Sequence, residues 1–112
     1  MEVVALPADL IFGARIRSAA ENAGVQVVIV RNVEDFLDQV RLLKPRLAIL
    51  DMDRRGLDVG EVVKQVKQAN VELIAYVSHV REDLIDAARA AGADRVLARG
   101  AFSKLLPDLL RA

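Results

Sequence analysis

The stretch that decides the fold is Arg46–Asp53, RLAILDMD, in which a short aliphatic run ends in acidic residues. The predicted strand is Arg46–Leu50. Its apolar residues are nearly continuous rather than alternating, which predicts a strand covered on both faces, as in a parallel sheet. Acidic residues follow directly, so a binding or reactive site is expected at the carboxyl end of this strand.

Four similar runs flank this strand, and segments with helical periodicity separate them. The runs are Glu2–Leu6 (EVVAL), Val25–Val30 (VQVVIV), Val71–Val77 (VELIAYV) and Ala93–Ala98 (ADRVLA). Gly24 is predicted to end the first helix and Asn32 to cap the second, whereas Pro107 predicts a late start or a kink in the last. The pattern predicts one α/β domain over residues 1–112, a doubly wound (βα)5 sheet of flavodoxin-like topology with parallel strand order 2-1-3-4-5.

Composition excludes several classes of protein. The 112 residues are 54% hydrophobic, with sixteen basic and sixteen acidic side chains, and they include no Trp and no Cys. Zero net charge and few aromatic residues argue against nucleic-acid and membrane partners. The lack of Cys excludes disulfides and thiolate metal sites and favours the cytoplasm.

The residues that follow the predicted strands are the candidates for a site, because ligands of such sheets bind at the carboxyl ends of the strands. Strands three, four and five are neighbours in the predicted order, so Asp51, Ser78 and Arg99 are expected to converge on one rim. The residues at the strand ends are Pro7, Ala8 and Asp9, then Asp51 and Asp53, then Ser78 and His79, then Arg99 and Gly100.

Three of these positions carry a resemblance to a known family. The Asp of LAILDMD (47–53), the Ser of AYVSH (75–79) and the Arg of GADRVLARGAF (92–102) are similar to the signature positions of response-regulator receiver domains, the CheY-like superfamily. The resemblance covers essentially the whole chain. It implies that Asp51 stands at the phospho-acceptor position, Ser78 at the switch position and Arg99 at the position of the family's Lys.

The chain also departs from the family's pattern. Receivers carry an acidic pair at the end of the first strand that holds Mg²⁺, and those positions fall on Pro7 and Ala8. A carboxyl phosphate brings several negative charges together, which a divalent ion normally offsets. No metal or other cofactor is therefore expected, and a weak Mg²⁺ site would need Asp51 with Asp53 and Asp9 as substitute ligands.

The leading hypothesis is a stand-alone pseudo-receiver, a signal-transduction module that is not an enzyme and acts through protein contacts or self-association. The resemblance implies a contact face on the fourth helix, fifth strand and fifth helix. Two alternatives stay open: a phosphorylation-competent receiver that accepts phosphate on Asp51 from a histidine kinase, and a small-ligand sensor using Ser78, His79 and Arg99. Residues on or near the contact face would be Arg81, Glu82, Arg89, Arg95 and Lys104.

Purely structural roles compete with these functional ones. Asp51 would accept loop amides or pair with Arg99, Asp9 would cap the first helix, and Asp53 would be a solvated turn residue. The pair Arg54-Arg55 is interpreted as a solvated loop. The Asp-Met-Asp pattern also resembles the nucleophile motif of haloacid-dehalogenase-type phosphatases and the paired acids of toprim domains. Its position on the third strand excludes the first, and the lack of a Glu after the first strand excludes the second.

Overall fold

Five parallel strands form one sheet in the order 2-1-3-4-5, which confirms the predicted doubly wound topology. The computed structural model describes residues 2–78 and 81–111. The elements are β1 (Glu2–Leu6), α1 (Leu10–Ala23), β2 (Gln26–Ile29), α2 (Val33–Leu43), β3 (Leu47–Asp51), α3 (Val59–Gln68), β4 (Glu72–Val77), α4 (Glu82–Ala90), β5 (Arg95–Ala98) and α5 (Arg99–Arg111).

The sheet separates two apolar layers because successive side chains of a strand point to opposite faces. On one face α1 and α5 pack against the sheet through residues such as Phe12 and Phe102. On the other face α2, α3 and α4 do so through residues such as Phe36 and Val63. Every residue of β3 is buried, as the continuous apolar run predicted.

The predicted helix ends are confirmed at two places. Gly24 follows α1 with φ +69°, the left-handed conformation that glycine adopts without strain. Asn32 caps α2, and its side-chain oxygen accepts a hydrogen bond from the backbone N–H of Asp35 at 2.7 Å.

The last two elements differ from the predictions. The strand β5 begins at Arg95 rather than Ala93. The Ala93 backbone N–H instead donates to the Ala88 carbonyl at 3.0 Å and so caps the end of α4. The late start of the last helix is wrong, since α5 begins at Arg99 and continues through Pro107. Proline has no N–H, so the Ser103 carbonyl lacks its helical partner there.

None of the helices in the described ranges is long and apolar enough to cross a membrane.

Candidate functional site

Asp51 is the last residue of β3 and is completely buried. One carboxylate oxygen accepts the backbone N–H of Ala8 at 3.1 Å, and the other accepts that of Asp53 at 2.9 Å. The carboxylate therefore joins the loop after β1 to the loop after β3. Burial raises the pKa of Asp51 above its ordinary value, although the two amides act in the opposite direction.

Tyr76 on β4 is the register partner of Asp51. Its ring stacks on Phe102, with centroids 4.3 Å apart, and lies 5.0 Å from the ring centroid of Phe12. Its hydroxyl is buried and meets no hydrogen-bond partner of ordinary geometry within residues 2–78 and 81–111. Burial and the nearby Asp51 carboxylate both raise the pKa of Tyr76, so the Tyr76 hydroxyl near Asp51 stays protonated and neutral.

Arg99 opens α5 and binds the beginning of α1. Its guanidinium donates to one carboxylate oxygen of Asp9 at 2.8 Å and lies over the ring of Phe12, with the guanidinium carbon 4.4 Å from the centroid. The other Asp9 oxygen accepts the Phe12 backbone N–H at 2.7 Å, which confirms the predicted helix cap. This amide and Arg99 lower the pKa of Asp9, and Asp9 in turn raises the pKa of Arg99.

Asp53 and Ser78 meet through the backbone of Ser78. The Ser78 N–H donates to a carboxylate oxygen of Asp53 at 2.8 Å, while the Ser78 residue itself is exposed. Asp53 lies in a turn, as predicted, but it is partly buried rather than fully solvated, and it ties the loop after β3 to the end of β4. His79, which the ligand-sensor hypothesis invokes, lies outside the described residues.

The strand ends thus hold Asp51, Ser78 and Arg99 at one end of the sheet, but each contacts a different group. Asp51 binds two backbone amides, Ser78 donates its amide to Asp53, and Arg99 binds Asp9. No ion pair joins Arg99 to Asp51 in the part of the chain that the structure describes. Arg99 is still within electrostatic range, because the Asp51 carboxylate contributes to the raised pKa of Arg99.

The same contacts do not fit a magnesium site. Mg²⁺ requires near-octahedral oxygen ligands, mostly carboxylates and water. Pro7 and Ala8 offer no side-chain ligand, and Asp9 is already paired with a cation. Over residues 2–78 and 81–111, no three acidic or histidine side chains come close enough together to hold a metal ion.

Two residues that shape the site were missed by sequence reasoning. Arg54, interpreted as a solvated loop residue, donates to the backbone carbonyls of Pro7 (2.7 Å) and Arg31 and so links the loops after β1, β2 and β3. Nothing in the sequence distinguishes it from its neighbour Arg55. Tyr76 was counted only as a strand residue, although a lone tyrosine two residues before a predicted site residue on a buried strand is a usable signal.

Comparison with known proteins supports the fold. No protein-family model and no curated protein matches the sequence. The structure is similar to a response-regulator signal receiver domain from Bermanella marisrubri (TM-score 0.84, 20% identity, covering 97% of this chain and 93% of that one). It is also similar to a CheY-like receiver domain protein from Methanospirillum hungatei JF-1 (TM-score 0.86, 14% identity, 98% and 90%).

A third similar structure is the signal receiver domain of a DNA-binding response regulator from Colwellia psychrerythraea 34H (TM-score 0.81, 20% identity, 100% and 99%). Each of these comparisons spans nearly the whole of both chains. The chain therefore has the flavodoxin-like fold of response-regulator receiver domains.

Proposed function

We propose that this chain is a pseudo-receiver, a receiver-type signalling module that works through protein contacts and does not accept phosphate on Asp51. The observation that carries the proposal is the state of the Asp51 carboxylate, which is fully buried and hydrogen-bonded through both oxygens to backbone amides. An acceptor carboxylate must present an oxygen lone pair to phosphorus along the line of the leaving group. Each Asp51 oxygen keeps a lone pair after accepting one amide, but the residue has no solvent-exposed surface, so neither oxygen is presented to an incoming phosphodonor.

The charge balance supports the same conclusion. Phosphorylation would convert the buried Asp51 carboxylate into an acyl phosphate with more negative charge, and such charge is normally offset by a metal ion. The residues after β1 that would supply ligands are Pro7 and Ala8. Arg99, at the position of the family's Lys, is already paired with Asp9 and stacked on Phe12. We infer that the protein needs no magnesium and no other cofactor, and that it is not an enzyme.

The partner in this proposal is a protein, or a second copy of the chain, bound to the face formed by α4, β5 and α5. β5 lies at the edge of the sheet and is only half-buried, and Ala88 is the only fully buried residue of α4. This face presents both charge signs, which suits a polar and selective protein interface better than nucleic acid or lipid. Its exposed charged residues include Arg81, Glu82, Arg89, Arg95 and Lys104. A chain without Cys is compatible with the cytoplasm, where we place it.

Labelling with a small phosphodonor tests the proposal. The purified chain would be incubated with Mg²⁺ and acetyl phosphate or carbamoyl phosphate, and its intact mass measured beside a phosphorylatable receiver as positive control. We expect no phosphoryl adduct. An adduct that disappears in Asp51→Asn but persists in Asp53→Asn would overturn the proposal and establish the phosphorylation-competent alternative.

A further inference from the structure

A cleft of about 440 Å³ opens between the start of α1 and the end of β2, next to the loop that Asp51 holds through the Ala8 amide. This volume is within the range of small-molecule sites, roughly 300–1,000 Å³. The apolar part of its lining, here called the floor, includes Pro7, Gly13 and Ile29. A methyl group on Gly13 would come within 3.2 Å of the Pro7 ring, so glycine keeps this floor tightly packed without filling the cleft.

Three arginines from three different segments line the cleft. Arg17 lies on α1, Arg31 follows β2, and Arg54 follows β3. The one acidic residue in the lining, Asp9, is neutralised by its ion pair with Arg99. No ion pair joins any of the three arginines to a carboxylate within the described ranges. The whole chain has zero net charge, so this positive charge is a local feature of the cleft.

Arg54 is held in place as a donor. It donates through one terminal nitrogen to the Pro7 carbonyl and through the other to the Arg31 carbonyl. A guanidinium has five N–H donors, so three remain after these two bonds. Backbone carbonyls fix its orientation without neutralising its charge, so Arg54 is a fixed positive group in the cleft lining that keeps donors for an anion.

We propose that this cleft binds a phosphorylated small molecule of about mononucleotide size. The phosphate would bind Arg17, Arg31 and Arg54, and the apolar or planar part of the molecule would lie on the Pro7 and Gly13 floor. The inference goes beyond the pseudo-receiver proposal and does not depend on whether Asp51 accepts phosphate. The Ala8 amide, whose residue also lines the cleft, is bound to Asp51, so a ligand here would touch the loop that Asp51 holds.

The test is an amide NMR titration of the intact chain with adenosine 5′-monophosphate, adenosine, ribose 5-phosphate and inorganic phosphate, without Mg²⁺ or a phosphodonor. We expect saturable shifts of the Ala8, Gly13 and Ala14 amides with the mononucleotide, and at least about tenfold weaker binding of adenosine and of inorganic phosphate. The double variant Arg17→Gln/Arg31→Gln should weaken mononucleotide binding at least about tenfold. Neither of these side chains makes a hydrogen bond to the described part of the fold, so the variant should stay folded.

Lys44→Gln/Lys64→Gln is the matched control, because it removes two positive charges from exposed positions at the end of α2 and on α3 that do not line the cleft. It should bind the mononucleotide like the natural chain. The proposal would be overturned by no saturable shift with any phosphorylated probe, by equal binding of adenosine and its monophosphate, or by equal weakening in Arg17→Gln/Arg31→Gln and in Lys44→Gln/Lys64→Gln. Inorganic phosphate binding as tightly as the mononucleotide would reduce the cleft to a simple anion site and also overturn it.

Discussion

Replacing Asp51 by Asn tests whether this carboxylate is a structural group. Asn has the same shape but only one acceptor oxygen, and its NH₂ group would face either the Ala8 or the Asp53 backbone N–H. One buried amide then loses its acceptor. If the Asp51 carboxylate were instead an exposed and strained phosphate acceptor, Asp51→Asn would relieve that strain and stabilise the fold.

The size of the effect follows from these contacts. Losing a hydrogen bond to a charged buried acceptor costs about 1.5–3 kcal/mol. Part of this is offset, since the raised pKa of Asp51 shows that burial disfavours its charge. We expect the free energy of unfolding of Asp51→Asn at pH 7 to fall by about 1–2 kcal/mol, with a decrease in Tm of roughly 3–6 °C for each kcal/mol.

Urea unfolding followed by circular dichroism and by tyrosine fluorescence is the assay. The chain has one Tyr and no Trp, so the fluorescence reports on Tyr76, the register partner of Asp51. Asp38→Asn is the control, because it changes a carboxylate on α2 that is 63% exposed, and it should change stability by less than about 0.5 kcal/mol. If Asp51→Asn is as stable as the natural chain or more stable, the structural role assigned to Asp51 is wrong.

Three further predictions concern the same site. Tyr76→Phe keeps the ring on Phe102 but removes a buried hydroxyl that has no hydrogen-bond partner in the described residues. The free energy of unfolding should therefore be unchanged or about 0.5–1 kcal/mol higher. A loss above about 1 kcal/mol in urea unfolding would show that the hydroxyl donates to Asp51. Asp9→Ala removes the cap of α1 and the ion pair with Arg99, so the free energy of unfolding should fall by about 1–2 kcal/mol. Asp9→Asn keeps a capping oxygen and should lower it by less than about 1 kcal/mol. Equal losses in the two variants would argue against the cap. The third prediction is that the contributions of Asp9 and Asp51 to the free energy of unfolding change with pH in opposite directions. The folded-state pKa of Asp9 is lowered, so its stabilisation is present above the ordinary value of 3.8 and is lost as pH falls through the folded pKa. The folded-state pKa of Asp51 is raised, so the loss caused by Asp51→Asn should be larger at pH 4 than at pH 7, and unfolding curves in which that loss grows with pH would contradict the raised pKa.

The order of strands and helices could be predicted from the sequence because it depends on local patterns. Apolar runs such as Glu2–Leu6 and Val71–Val77 differ from helical stretches in their periodicity, and caps such as Asn32 act within three or four residues. Parallel connections then follow from the crossover lengths. The lack of the receiver family's acidic pair directly after β1 was also visible, because Pro7 and Ala8 occupy those two positions in the sequence.

The partners of the site's charged groups were decided by the tertiary structure alone. Arg99 and Asp9 are ninety positions apart, and no local pattern indicates that they pair instead of Arg99 and Asp51. That choice depends on how α1 and α5 pack on the same face of the sheet. The cleft arginines show the same limit, because Arg17, Arg31 and Arg54 come to line one cleft only when α1 packs beside the ends of β2 and β3. Periodicity acts along the chain, whereas charge pairing acts through space, so the sequence determined where the site lies and only the fold decided which groups it brings into contact.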